Sequence, residues 1–127
     1  GNGKQTRDFL HVNDLVKAIF LASKKLKSGT ILNLGGGKEV SVNKIANLIS
    51  NKKVYIPKRP GEPDVTFACI KKIKSKTSWK PKISIEKGIQ IMLKHINDWK
   101  YAPVWTPSKI SKQTKKWFYY LGKKNKK

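Results

Sequence analysis

A strand-like polar run passes without a break into a helix near the start of the chain, and this junction restricts the fold more than any other stretch. In Gln5-Thr6-Arg7-Asp8-Phe9-Leu10-His11-Val12-Asn13-Asp14, Phe9 alternates with charged neighbours as on a half-buried strand. Asn13 or Asp14 can accept bonds from the first free N–H groups of a helix, and Leu15, Ala18, Ile19 and Ala22 then follow at helical spacing. Arg7 is therefore fixed near a strand while its charge stays free. A guanidinium offers planar paired donors, so the stretch suits a site that holds a phosphate or a carboxylate.

Further along, residues 15–26 read as a helix with Leu15, Ile19 and Leu26 near one face and Lys17, Lys24 and Lys25 on the other. Ser28-Gly29 ends it. Thr30–Leu34 reads as a short strand, and a second helix, capped by Ser41, carries Ile45, Leu48 and Ile49 inward. Lys53–Ile56 is a further strand. In Lys58-Arg59-Pro60-Gly61-Glu62-Pro63-Asp64, two prolines and a glycine forbid a regular helix and favour an ordered loop. Ile70 to Ser75 reads as a short helix with Ile70 and Ile73 inward, and Ser84 opens a longer one striped by Ile85, Ile89, Met92, Leu93 and Ile96. Aromatics then alternate with turn residues up to Thr106-Pro107, where a last helix begins, bearing Ile110, Thr114, Trp117, Phe118 and Leu121. These aromatics can dock the helix on its own domain or stack on nucleic-acid bases.

The Gly35-Gly36-Gly37 cluster invites a phosphate-loop reading, which its spacing fails. The dinucleotide fingerprint needs glycine where Val40 stands, and a P-loop needs glycine at Leu32 and a hydroxyl at Glu39. A tight turn between strand and helix remains.

Four segments in order, covering about residues 1–97, resemble the extended short-chain dehydrogenase/reductases that act on nucleotide sugars, the NAD-dependent epimerases and dehydratases. They are Gly1 to Asp14, Asn33-Leu34-Gly35-Gly36-Gly37, Arg59-Pro60-Gly61-Glu62-Pro63-Asp64, and Trp79-Lys80-Pro81 before the helix from Ser84. The resemblance implies that Arg7 and Arg59 reach the diphosphate of a bound nucleotide sugar, a UDP-sugar first among the candidates, with Thr66 as a weaker substrate contact. The competing reading pairs these arginines with Asp8, Glu62 or Asp64 as plain salt bridges. Two departures stand out: Cys69 replaces an aspartate that caps the next helix, and Ser78 replaces the glycine of a G-W-x-P turn. Cys69 reads as a small buried side chain, and Trp79 as a packing anchor.

The resemblance also implies that NAD serves the parent enzyme and that this enzyme is a homodimer. The NAD-binding G-x-x-G-x-x-G turn is not present, and Tyr120-Lys124, which has the spacing of the family's catalytic Tyr-x-x-x-Lys pair, spans a helix-ending glycine and is not assigned to it. His11 and His95 have no partner at a catalytic or metal-binding spacing. No catalytic, cofactor or metal residue is therefore assigned, and the chain alone is expected to be inactive. It reads as the carboxyl-terminal part of a longer enzyme.

The chain has 127 residues, enough for one domain with a real core. Its 29 Lys+Arg against 7 Asp+Glu give a net charge of +22, which fits either a lysine-rich solvated surface or a small basic nucleic-acid-binding module. Only Arg7 and Arg59 are arginines, and this scarcity weighs against nucleic acid. With a single cysteine and no membrane-length apolar run, a cytoplasmic protein that does not enter membranes is expected. The architecture expected is α/β: short strands near residues 6–11, 30–34 and 53–56 with four or five packing helices, the carboxyl-terminal portion of an extended short-chain dehydrogenase/reductase fold. Residues 1–97 would form the nucleotide-sugar-binding part, 98–122 an aromatic helical extension and 123–127 a disordered basic tail.

Overall fold

The computed structural model describes residues 1–122, so the tail expected at 123–127 lies outside it. The chain is α/β, as expected. In order come β1 (Thr6–Arg7), α1 (Val12–Lys25), β2 (Val40–Ser41), α2 (Val42–Ile49), α3 (Lys71–Thr77), α4 (Ile85–Lys94), a 3-10 turn (Ile96–Trp99) and α5 (Pro107–Gly122). β1 and β2 are antiparallel, with Thr6 opposite Ser41 and Arg7 opposite Val40. On its other edge β1 meets residues 64–66, where the Thr6 N–H donates to Asp64 O at 2.8 Å and the Thr66 N–H to Thr6 O at 3.3 Å. The sheet is small, but it ties the first motif to the end of the Pro-Gly loop.

The core lies where α1 packs on α3. Ala18, Ile70, Ile73 and Trp79 are buried there, with Leu10, Leu21, Leu32, Leu34 and Ala68 against them. Trp79 is the anchor the sequence suggests: it is 4% exposed, and its indole N–H donates to Asp14 O at 3.0 Å. The caps at Ser41 and Ser84 hold, each hydroxyl accepting from the N–H three residues on.

Several expectations are corrected. Residues 30–34 and 53–56 are not strands, because nothing among the described residues pairs with them and a strand is defined by its ladder. Ile31 is 81% exposed there, although Leu32 and Leu34 reach the core. α1 starts at Val12 rather than Leu15, and its cap is His11, whose Nδ1 accepts from the Asn13 N–H at 3.2 Å. Its face is also rotated: Ala18 is buried, whereas Ile19 points outward with Val12, Val16 and Phe20. The helix is apolar on two sides, and among the described residues one of them has a covering surface. Ile49, Met92 and Ile96 are likewise exposed rather than inward. Cys69 is exposed, not buried; Ile70, the next residue, takes the core position, and α3 begins there with no side-chain cap.

Candidate functional site

The site is built around a turn that the sequence Arg59-Pro60-Gly61-Glu62 encodes directly. Proline presets its own φ, Gly61 takes φ +74°, and the Glu62 N–H closes on Arg59 O at 3.3 Å. Proline then glycine at the two central positions, with a left-handed glycine, is the pattern of a type II turn. Closing the turn folds Glu62 back over Arg59. The guanidinium then grips the carboxylate with two bonds, Nη2 to Oε1 at 2.8 Å and Nε to Oε2 at 3.3 Å. This hydrogen bond holds the Glu62 carboxyl below the usual carboxylate range and raises Arg59 above its ordinary value.

Arg7 reaches the same carboxylate from β1. Its Nη2 lies 3.4 Å from Glu62 Oε1, and its Nη1 donates to Thr6 O at 2.7 Å. The pairing of Thr6 with residues 64–66 brings the two segments side by side. Both arginines singled out in the sequence thus converge on one carboxylate oxygen. Of the three partners weighed for them, Glu62 is the one engaged; Asp64 pairs with Lys58, and Asp8 turns inward. Arg59 and Glu62 line a hollow of about 360 Å³ with Gly3, Gln5, Asn43 and Tyr55, a hollow that Arg7 does not line. Thr66 joins the neighbourhood through its backbone, with its side chain exposed.

The two acids near Arg7 serve structure. Asp8 Oδ2 accepts from the Ala68 N–H at 3.1 Å. A Cβ on Gly35 would stand 2.0 Å from that oxygen, and one on Gly36 would stand 2.0 Å from Phe9 O. The glycines therefore let the 8–9 segment approach the turn. With the Asp8 carboxylate against it, the Gly35-Gly36-Gly37 turn does not fit the pyrophosphate of a dinucleotide. Asp14, 1% exposed, accepts from the Lys82 and Ile83 N–H groups at 2.9 and 2.8 Å and so ties α1 to the segment before α4. Among the described residues, no group of three or more His, Cys, Asp or Glu gathers to hold a metal.

One contact was not legible in the sequence. α5 lies along the Pro60-Gly61 turn, where the Trp117 indole N–H donates to Pro60 O at 2.7 Å and its ring lies 5.3 Å from the Arg59 guanidinium carbon. The spacing of α5 shows an apolar stripe but not its target.

A family model described as GDP-mannose 4,6 dehydratase matches residues 1–92. The chain belongs to the NAD-dependent nucleotide-sugar epimerase/dehydratase family. It is 36% identical over 97 residues to a UDP-glucuronate 4-epimerase of Thermodesulfobacterium geofontis, covering 71% of this chain and 30% of that protein. It is similar to the crystal structure of a UDP-glucose 4-epimerase from Thermotoga maritima with UDP-glucose, at TM-score 0.69 and 30% identity, over 77% of this chain and 33% of the other. A UDP-glucuronic acid 4-epimerase from Bacillus cereus, in complex with UDP-glucuronic acid and NAD, gives TM-score 0.68 at 29% identity over 77% and 34%. The chain thus spans about a third of the length of these epimerases. All four motif segments fall within the 92 residues matched, and α5 lies beyond them.

Proposed function

We propose that this chain is the nucleotide-sugar-gripping, carboxyl-terminal part of an NAD-dependent epimerase or dehydratase, and that Arg7 and Arg59 hold the diphosphate of a UDP-sugar. The observation that supports this reading is the convergence of two guanidinium groups from separate segments, marked by their shared contact with Glu62 Oε1 at 3.4 and 2.8 Å; the plain salt-bridge reading expects that contact too, and ligand binding by the variants below separates the two. Two cations brought from separate segments to one oxygen form a place where a second anion is stabilised. Each guanidinium has five N–H donors, more than its bonds to Glu62 and Thr6 consume. Glu62 orients the pair, and the remaining donors serve the phosphate oxygens. Thr66, exposed beside Thr6, is a further substrate contact of lesser weight.

NAD and the proton-transferring residues would belong to the part of the enzyme outside this chain, so the chain alone is expected to be inactive. The outward apolar face of α1 and residues 31–34, which no strand among the described residues pairs with, fit this reading, because the rest of such an enzyme would cover them. Arg7→Ala and Arg59→Ala in the full-length enzyme test it by calorimetric titration of UDP-glucose and UDP-glucuronate. Each loses a charge-assisted interaction of about 1.5–3 kcal/mol, roughly a 10- to 100-fold loss of affinity. Unchanged affinity in both rejects the clamp. Binding that instead falls steeply with salt and is indifferent to sequence, seen with DNA or RNA, would point to a basic nucleic-acid module.

A further inference from the structure

We propose that Trp117, on the helix beyond the matched 92 residues, is a positioning residue for Arg59, a role that rests on the diphosphate reading above. The Arg59 side chain is 40% exposed, so without support its guanidinium would sample many orientations. Glu62 constrains one edge of the group. The Trp117 ring, whose centroid lies 5.3 Å from the guanidinium carbon, constrains it from a second side.

These two contacts do not compete with a ligand for the same surface. Stacking on an aromatic ring uses the face of the planar cation, whereas hydrogen bonds to phosphate leave from its edge. The indole therefore restrains Arg59 while the N–H donors not bonded to Glu62 remain available. Trp117 is itself held, because its N–H donates to Pro60 O at 2.7 Å, on the residue next to Arg59. The helix grips the turn at two more points. A Cβ on Gly61 would lie 3.7 Å from Leu121, and one on Gly122 would lie 3.8 Å from Pro60. Ile110, Thr114, Phe118 and Gly122, four residues apart, form the half-buried stripe of α5. Ring, turn and arginine move as one unit, and the arginine arrives preorganised for the anion.

The test is a double-mutant cycle in the full-length enzyme. UDP-glucose, UDP-glucuronate, dTDP-glucose and GDP-mannose are titrated calorimetrically, and the sugar bound most tightly by the wild type is carried through the variants. Trp117→Met, which keeps an apolar helix former without a ring, is expected to weaken binding roughly 2- to 5-fold. Trp117→Phe, which keeps a ring face, recovers most of that loss and serves as the folded control if Trp117→Met is unstable. In an Arg59→Ala background Trp117→Met should cost no further affinity. The role is overturned if Arg59→Ala weakens binding while Trp117→Met does not, or if the Trp117→Met loss persists at full size without Arg59. Arg59→Ala that binds like wild type, or a wild type that binds none of the four sugars, overturns the diphosphate reading itself and this inference with it. That failure appears in a different arm of the cycle.

Discussion

At the scale of single residues, position in the backbone decides what a side chain does, and residue type alone misleads. An acid at a helix start is commonly a cap, yet His11 occupies the capping position and Asp14, one turn in, is buried beneath Lys82 and Ile83. Ser78 closes α3 at φ +60°, the left-handed region. Ser78→Gly is therefore expected to raise stability by about 1 kcal/mol, read as a higher urea midpoint at unchanged slope. Glu62 gives a pH signature. Its carboxyl is held down chiefly by the Arg59 hydrogen bond, so the stability it adds is fully present above its unfolded value and is lost as pH falls through the depressed one. The stability difference between wild type and Glu62→Gln should be constant near neutrality and vanish in strong acid. A difference that persists below the carboxylate range would contradict this.

At the scale of elements, the helices were legible because their signals are local: a serine cap, a proline at the first turn, periodic apolar residues. Which face each helix buries was less so. α1 carries Val12, Val16, Ile19 and Phe20 on one side and Ala18 and Leu21 on the other, and periodicity cannot choose between two apolar faces. The run 30–34 has the composition of a strand without a partner among the described residues. In the isolated chain its amides 31–34 should exchange with solvent as fast as loop amides. In the full-length enzyme they should be protected. Equal exchange in both would mean that nothing pairs with this run.

Taken as a whole, the molecule carries a charge of +22 on 127 residues. Like charges repel across the surface, and the acids are too few to offset them. Salt screens that repulsion, so the melting temperature should rise between about 0.05 and 0.3 M NaCl, where the Debye length becomes shorter. A fall would mean that the ion pairs at Glu62, Glu86 and Asp64 outweigh the net repulsion. Among the described residues, no helix is long and apolar enough to cross a membrane.

From the residues alone came the α/β class, though not with its strands at 30–34 and 53–56, most helix starts, the two arginines and an ordered Pro-Gly loop at 58–64. Each depends on neighbours within a few positions, where covalent geometry and capping act. Only the folded chain could decide that Arg7 and Arg59 share one carboxylate oxygen, that the glycine turn packs against Asp8, and that α5 sets an indole over Arg59. Such contacts join segments far apart in the chain. Their geometry is set by sheet register and by the packing of faces against each other, quantities that no local pattern contains.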